Sequence, residues 1–290
     1  MKAIDKSPTE ADRITRPPRS QARVSVVIPT FNEAANLPHV FARLPFEDLF
    51  EVILVDGHST DDTIEIARRL CPSVRVVLQD GKGNALACGF AAVRGDIIVM
   101  LDADGSTDPR EIPAYVDALF DGADFAKGSR FMEGGGSVDI TPLRMQGNRF
   151  LNGTVNALFG TDYSDLCYGY NAFWSDVRPT INVDCAGFEV ETLINVRVAK
   201  AGLNVAEVPS IEHERIHGVS KLRPFRDGFR VLRTILVERF ARRDETQLAP
   251  APAIRKLDPS GHTSGSQSDF VRGSSAWPLR SNASADATSA

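Results

Sequence analysis

The sequence predicts an α/β fold with three layers, α/β/α, around a mainly parallel central sheet. Short apolar segments rich in β-branched residues alternate with segments of helical character, which is typical of parallel strands joined by helices. Polar residues follow three of the apolar segments, and ligands of such sheets bind at the carboxyl ends of the strands. Residues 23–243 are long enough to form one large domain of this kind.

The predicted strands are short, mostly apolar runs. They are 24–28, 51–55, 74–78, 97–101, 124–127, 170–174 and 205–208. Pro29 ends the first run, and Asp56-Gly57 follows the second, so both strands are expected to end in turns.

The predicted helices lie between or after these runs. Ser59 or Thr60 could cap the second helix, with Asp61 and Asp62 in its first turn. The Gly-rich turn 81–83 leads into the third helix. The helices are 33–44, 59–70, 83–93, 110–119, 143–159, 189–201 and 224–243.

Both ends of the chain differ in composition from the middle. Residues 1–22 are polar and contain several prolines, and residues 244–290 are rich in Ser, Ala, Gly and Pro without an apolar period. We expect both to be disordered tails. The net charge of −5 argues against a nucleic-acid binder.

Targeting signals are absent from the sequence by the usual criteria. No run of about 18 apolar residues occurs, and the N-terminus has no apolar stretch of signal-peptide length. The four cysteines have the spacing of neither a metal site nor a disulfide framework. We therefore expect a cytoplasmic protein with reduced thiols and no transmembrane helix.

Asp102 and Asp104 follow the most apolar strand, 97–101. Two carboxylates separated by one residue suit Mg²⁺ or Mn²⁺, and such an ion is commonly shared with substrate phosphates. A simple turn or a helix cap is the alternative. Two other predicted strands also end in polar segments, 29–33 and 56–61, and parallel strands bring all three to one edge of the sheet.

These segments resemble the family 2 glycosyltransferases. The resemblance covers roughly residues 23–240 and rests on VVIPTFNE (26–33), VDGHSTD (55–61), GKG (81–83) and LDAD (101–104). Later segments resemble the branch of dolichol-phosphate mannosyltransferases, which use polyprenyl-phosphate acceptors. They are KGSRF (127–131), SDL (164–166), GFEVE (187–191), EVP (207–209) and RIHGVSK (215–221).

The resemblance implies a GT-A fold and a hexosyltransferase that uses a nucleoside diphosphate sugar. It places the metal on Asp102 and Asp104, and the sugar diphosphate or the acceptor phosphate near Arg130, Arg215 and Lys221. The implied nucleotide-binding residues are Pro29, Phe31, Glu33, Val55, Asp56, Lys82, Asp102 and Ala103.

Two positions depart from the family pattern. Gly57 replaces the second Asp of the usual Asp-Asp-Gly-Ser turn, and Asn171 stands where the branch has an Arg. The first departure affects a nucleotide contact. The second leaves the sugar and the acceptor open.

The acceptor decides whether a general base is needed. A phosphate monoester is largely ionised near neutral pH, because its second pKa is about 6. A polyprenyl phosphate would therefore need positioning and cations. A soluble hydroxyl acceptor, such as a small metabolite, is the alternative and would need a carboxylate base, for which Asp165 and Glu189 are the candidates.

The segment 224–243 combines arginines with apolar residues at helical spacing. Phe225, Phe229, Leu232, Leu236 and Phe240 form one stripe. Such a helix lies on an anionic membrane surface or packs its stripe on the core. The first alternative predicts peripheral contact with the inner membrane face.

Overall fold

A mainly parallel sheet forms the centre of the protein, as the sequence predicts. The computed structural model describes residues 16–79, 82–185, 187–218, 223–241 and 255–256. Its strands are β1 (Val24–Thr30), β2 (Glu51–Asp56), β3 (Arg75–Leu78), β4 (Ile97–Met100), β5 (Phe125–Ser129), β6 (Gly136–Ser137), β7 (Asn171–Trp174), β8 (Val205–Pro209), β9 (Ile211–Glu212) and β10 (Arg255–Lys256).

Helices connect and cover these strands. They are α1 (Leu37–Phe41), α2 (Thr63–Leu70), α3 (Lys82–Ala92), α4 (Ile112–Phe120), α5 (Pro142–Phe159), α6 (Arg178–Ile181), α7 (Val190–Lys200) and α8 (Pro224–Phe240). The central strands lie in the order β10-β3-β2-β1-β4-β7-β5-β8, and β6 pairs with β9 in a separate two-stranded sheet. In the central sheet β7 runs antiparallel to both of its neighbours, and β10 is antiparallel to β3.

Two apolar clusters hold the layers together. The larger one is the sheet and its covering helices, and α3 approaches the sheet so closely that a Cβ at Gly89 would stand 2.5 Å from Val27. The smaller one joins α5, α7 and α8 through Leu151, Val196 and Val231. Because α8 is fixed to α5 and α7 in this way, these helices stand as one unit beside the carboxyl edge of the sheet.

The first helix is shorter than predicted. Helix α1 covers Leu37–Phe41 rather than 33–44, because two preceding amide groups bond to side chains from the start of α2. The Glu33 amide donates to Thr63 Oγ1 at 2.8 Å, and the Ala34 amide donates to Asp61 Oδ2 at 3.2 Å. These bonds hold 33–36 as a turn beside the β2 end.

The predicted tails also need correction where the structure describes them. Residues 16–22 are not a tail, because Arg16 pairs with Asp124 at 2.8 Å and with Asp176 at 3.1 Å and lies over the Trp174 ring. Residues 1–15 and most of 244–290 lie outside the described residues, apart from β10. Among the described helices, none combines the length and apolarity needed to cross a bilayer.

Candidate active site

Strands β1 and β2 end side by side. Thr30 and Asp56 are register partners, and Thr30 Oγ1 donates to Asp56 Oδ1 at 3.2 Å. Asp56 is fully buried and also accepts from the Ser59 amide and hydroxyl, at 2.8 and 2.5 Å. Asp56 therefore shapes the turn after β2 and presents no open surface to a nucleotide, contrary to the direct contact that the sequence suggested.

The loops after these two strands bind each other. The Asn32 amide donates to Ser59 Oγ, and Asn32 Oδ1 accepts from the Thr60 amide, both at 2.8 Å. Asn32 and His58 both have left-handed backbones, with φ of 57° and 61°. Such conformations are uncommon for non-glycine residues and are concentrated at functional sites.

The other predicted nucleotide residues differ in exposure. Phe31 is 45 % exposed and lies beside Gly57. Pro29 and Glu33 are half-buried at the same edge. Val55 is fully buried against α3, so its side chain forms core and not pocket surface, which corrects the prediction.

The turn after β4 presents the two aspartates. Asp104 Oδ1 accepts from the Ser106 amide at 2.9 Å and from the Ser106 hydroxyl at 2.6 Å, which fixes the carboxylate. Gly105 has φ of +79°, and a Cβ there would stand 2.6 Å from Ile216 Cδ1. The turn needs glycine on both counts. Ala103 is buried between the aspartates.

Arg215 connects two of the three strand ends. Its Nη2 lies 2.6 Å from Asp104 Oδ2, and its Nη1 lies 3.6 Å from Glu33 Oε1. The backbone on either side of Arg215 is also tied down. The Ile216 amide donates to the Asp104 carbonyl at 3.2 Å, and the His213 amide donates to the Ser106 carbonyl at 2.8 Å.

His217 attaches this segment to the turn after β1. The His217 amide donates to Asn36 Oδ1 at 2.9 Å, and Asn36 Nδ2 donates back to the His217 carbonyl at 3.2 Å. Asn36 Nδ2 also donates to Glu33 Oε2 at 2.6 Å. The segment 213–217 thus crosses the carboxyl edge of the sheet and closes one side of the site.

A cavity of about 290 Å³ lies between this edge and helices α5 and α8. We call it the active-site cavity. Its lining mixes charged and apolar side chains. The charged ones include Asp102, Asp104, Arg130, Arg144, Glu191, Glu212 and Arg215. The apolar ones, which come mostly from α5 and α8, include Ile140, Leu143, Leu151, Phe188, Phe225 and Val231.

Glycine at position 169 lets two cavity carboxylates come close to the backbone. A Cβ there would stand 3.3 Å from Asp102 Oδ2 and 3.4 Å from Glu191 Oε1, so a larger residue would crowd both carboxylates. Asp104 Oδ2 already faces a cationic group. Within the described residues, no group of three or more His, Cys, Asp or Glu side chains converges. Asp102 and Asp104 supply the carboxylate oxygens that a hard divalent cation takes, but a cation held there would need further ligands from outside this pair.

Arg130 lines the cavity, but two carboxylates hold it. Its Nε and Nη2 lie 2.7 and 3.0 Å from the two oxygens of Asp165, and its Nη1 lies 2.9 Å from Glu212. Its guanidinium also stands over the Tyr168 ring, 4.9 Å from the ring centre. Burial opposes the charge, yet these partners outweigh burial and raise the pKa of Arg130.

The structure speaks against Asp165 as a general base. Its side chain is fully buried and accepts further hydrogen bonds from Asn148 at 2.9 Å and the Cys167 amide at 3.3 Å. Burial alone would raise its pKa, but the hydrogen bonds and charge of Arg130 dominate and hold it at about 2. A carboxylate this acidic and enclosed anchors Arg130.

Glu189 is also displaced from the predicted role. It is buried just before α7, outside the cavity lining, and pairs with Arg230 of α8 at 2.8 Å. Glu191, two residues later, lines the cavity instead. The motif 187–191 contains both glutamates, and the sequence does not show which of them faces the cavity. The start of α7 at Val190 decides this in favour of Glu191.

Arg144 is a second residue that sequence reasoning missed. It lies in the first turn of α5, whose N-cap Thr141 accepts from the Arg144 amide at 3.3 Å. Its side chain lines the cavity and pairs with Asp139, itself 46 % exposed, at 3.3 Å. No local pattern distinguishes this arginine. The side chain of Lys82 and all of Lys221 lie outside the described residues.

The comparisons with known proteins identify the family. Residues 25–178 match the model of "Glycosyl transferase family 2". The chain belongs to this family. It is therefore a hexosyltransferase, and the family resemblance noted from its motifs is confirmed.

Curated relatives of this glycosyltransferase are identical to it at about a third of the aligned positions. It is 32 % identical over 209 residues to the glycosyltransferase AglJ of Haloferax volcanii, covering 71 % of this chain and 68 % of the relative. It is 32 % identical over 214 residues to the dolichol-phosphate mannosyltransferase of Pyrococcus furiosus, covering 69 % of this chain and 59 % of that protein. It is 33 % identical over 218 residues to the polyprenol monophosphomannose synthase of Mycolicibacterium smegmatis, covering 70 % and 82 %.

Solved structures confirm the GT-A fold of the glycosyltransferase. The glucosyl-3-phosphoglycerate synthase of Mycobacterium tuberculosis matches with a TM-score of 0.62 and 24 % identity over 78 % of this chain and 83 % of that one. The same synthase, crystallised with Mn²⁺, UDP and glucosyl-3-phosphoglycerate, matches with a TM-score of 0.61. A divalent metal thus occurs in structural neighbours of this fold.

Proposed function

We propose that this protein is a metal-dependent inverting glycosyltransferase that moves a hexose, mannose or glucose, from a nucleoside diphosphate sugar to a polyprenyl phosphate. The observation that carries the proposal is the mixed lining of the active-site cavity, in which the aspartate pair and arginines occur together with apolar side chains of α5 and α8. An acceptor with a charged head and a hydrocarbon tail matches both kinds of lining.

The donor would bind where β1, β2 and β4 end. Phe31 offers an exposed ring for the base, and Glu33 lies at the same edge. Asp102 and Asp104 would hold Mg²⁺ or Mn²⁺ on the diphosphate, with the Ala103 backbone beside the nucleotide. When bound, the metal supplies positive charge that stabilises the departing nucleoside diphosphate. Lys82 remains a proposed nucleotide ligand by resemblance.

Guanidinium groups would receive the acceptor phosphate. Arg144 pairs with Asp139, whose carboxylate is exposed to water. Water screens this pair, so the positive charge of Arg144 can still act in the cavity. Arg215 stands beside Asp104, where it would meet the sugar diphosphate, and Lys221 joins it by resemblance. Arg130 would help to orient the phosphate but would add little net positive charge, because Asp165 and Glu212 neutralise its guanidinium. Paired arginine forks suit phosphate oxygens, and they hold the nucleophile near the anomeric carbon.

The transfer itself needs no proton acceptor when the nucleophile is a phosphate. A phosphate oxygen forms the bond to the anomeric carbon on the face opposite the diphosphate. The bond from that carbon to the diphosphate oxygen breaks, and the nucleoside diphosphate leaves with the electron pair. The acceptor is already ionised near neutral pH, so fixed cations and close placement are the main requirements.

A soluble hydroxyl acceptor is the second candidate, and Glu191 favours it. Glu191 is 5 % exposed and lines the cavity, and its carboxylate, like that of Asp102, lies close to Gly169. An alcohol needs a base in this position, whereas a phosphate does not. A small metabolite or natural product would then bind in the cavity beside Glu191.

We further propose that α8 contacts a membrane surface. Its core face is Val231 and Ile235, so the aromatic stripe points outward. Phe225, Phe229 and Phe240 are 82, 69 and 80 % exposed. Exposed arginines interleave with them at 226, 233 and 239. This combination suits an anionic interface, and Phe225 also borders the cavity, which would bring a lipid acceptor to the site.

A donor panel tests the enzymatic proposal. Purified protein is mixed with polyprenyl phosphate, Mg²⁺ or Mn²⁺, and GDP-mannose, UDP-glucose or other sugar nucleotides, and release of the nucleoside diphosphate is measured. We expect release with one hexose donor and its loss in EDTA. Asp104→Asn should lower the rate at least about a hundredfold, and the surface variant Asp121→Asn should not. Metal-independent release would contradict the proposal.

A further inference from the structure

The carboxylate of Asp104 has a protein cation on the oxygen that a metal would use. Oδ1 is occupied by the Ser106 amide and hydroxyl. Oδ2 is paired with Arg215 Nη2 at 2.6 Å. A divalent ion that approaches Oδ2 therefore meets the guanidinium, and the repulsion between the two cations at contact distance opposes binding of the ion.

The segment that bears Arg215 cannot easily withdraw as a whole. Backbone hydrogen bonds from His213 and Ile216 fasten it to the Asp104 turn. Ile216 fills the space above Gly105, and Asn36 binds both backbone polar groups of His217. The side chain of Arg215 is 29 % exposed and lines the cavity, so the guanidinium has room to turn while its backbone stays in place.

We propose that Arg215 is an internal counter-cation of Asp104 that competes with the divalent metal for Oδ2 and, once displaced, pairs with the substrate diphosphate. In the free protein it keeps the buried carboxylate paired, which avoids the cost of an uncompensated charge. Metal entry displaces the guanidinium into the cavity, where a fork of donors meets phosphate oxygens. Metal binding and diphosphate binding are thereby coupled through one side chain.

The inference rests on the proposed metal site and, for its second half, on a nucleoside diphosphate in the donor, but it does not depend on the acceptor. The test is a titration of the protein with Mn²⁺ alone, followed by the electron paramagnetic resonance signal of the free ion at fixed ionic strength. Removing the competitor in Arg215→Gln should tighten Mn²⁺ binding roughly tenfold, equivalent to about 1.4 kcal/mol. Asp104→Asn should abolish binding in both backgrounds, which locates the titrated ion.

Arg144→Gln is the matched control. It removes another cavity guanidinium whose partner is Asp139 and not Asp104, so its Mn²⁺ affinity should stay within about twofold of the parent. Arg215→Lys keeps a charge but loses the fork, and it should bind Mn²⁺ about threefold more tightly than the parent. This variant serves as the test if Arg215→Gln does not fold.

The proposed pairing of Arg215 with the diphosphate is tested by nucleotide binding in the presence of saturating Mn²⁺. Calorimetry of UDP or GDP binding should show about tenfold weaker affinity in Arg215→Gln than in the parent. Unchanged or weaker Mn²⁺ binding in this variant would overturn the competition. Unchanged diphosphate binding would overturn the transfer of the guanidinium to the substrate. Neither result depends on catalysis, so a wrong proposed acceptor would leave this test intact.

Discussion

Arg130 holds both carboxylate oxygens of Asp165, at 2.7 and 3.0 Å, inside the wall of the active-site cavity. Both side chains are almost fully buried. The pair stands where KGSRF and SDL, the two sequence segments that resemble the polyprenyl-phosphate branch, meet in space. The two segments therefore form part of the cavity wall, and Asp165 of one segment holds Arg130 of the other in place.

Breaking this pair should cost stability. Asp165→Asn leaves Arg130 buried with one carboxylate fewer, and loss of one partner of a buried pair typically costs about 3–5 kcal/mol. Asp117→Asn removes the partner of Arg19 in an exposed pair and should cost less than about 1 kcal/mol. Urea unfolding followed by circular dichroism measures both. Equal losses in the two variants would contradict the assignment.

The same carboxylate predicts an acid limb in the stability profile. The pKa of Asp165 is about 2 in the folded protein, below the ordinary value of 3.8. A lowered folded pKa contributes stability that is complete above the ordinary value and is lost as the pH falls from about 4 towards 2, by about 2 kcal/mol. Asp165→Asn should have a flatter stability curve in this window, measured by unfolding at each pH. A parallel curve would contradict the prediction.

Gly105 should matter for two separable reasons. Gly105→Ala meets a strained backbone at φ +79° and a clash with Ile216, which would displace the segment that carries Arg215. Gly160→Ala meets φ +69° with no neighbour within 4 Å and so measures backbone strain alone. We expect Gly160→Ala to lose about 1 kcal/mol of stability and Gly105→Ala to lose more, because the clash adds to the strain. Only Gly105→Ala should lose transfer activity, by at least about tenfold. Equal activities would show that Ile216 packing is unimportant.

The exposed stripe of α8 predicts binding to anionic vesicles. Replacing Phe225 and Phe229 with Ser removes two rings that would enter the interface, and binding to phosphatidylglycerol vesicles should weaken at least about tenfold. Phe50→Ser is the control, since Phe50 is 47 % exposed beside Arg23 before β2. Co-sedimentation measures the bound fraction. Full binding by the double variant would show that this stripe is not the contact.

Local sequence patterns predict much of the fold. The buried runs of β1, β2 and β4 and the long α5 follow from composition, and α5 ends where Gly160 adopts a left-handed backbone. Helix α1 was overextended, because the bonds from Asp61 and Thr63 to its first amides join separate segments. The short β6 and β9 escaped prediction, since two-residue strands leave no periodic signal.

The site was only partly predictable for a similar reason. Asp102, Asp104, Arg130 and Arg215 reach one cavity, as their motifs suggest. Asp165 and Glu189 come from two other motifs of the same resemblance, SDL and GFEVE, yet they pair with the buried Arg130 and with Arg230 of α8. The choice between Glu189 and Glu191 depends on where α7 begins, and Arg144 enters the cavity only through the placement of α5. Such facts arise from packing between distant segments.

The identity of the acceptor tests most directly the claim that the enzyme transfers a hexose to a polyprenyl phosphate. A labelled sugar nucleotide, chosen by the donor panel, is incubated with detergent-dispersed polyprenyl phosphate, free polyprenol or a panel of soluble alcohols, and the labelled product is separated between organic and aqueous phases. The same assay is run with Glu191→Gln. The account predicts label in the organic phase with the polyprenyl phosphate alone, and a rate for Glu191→Gln within about tenfold of the parent, because no base is required. Label that moves only to soluble alcohols, with a loss of a hundredfold or more in Glu191→Gln, would contradict it.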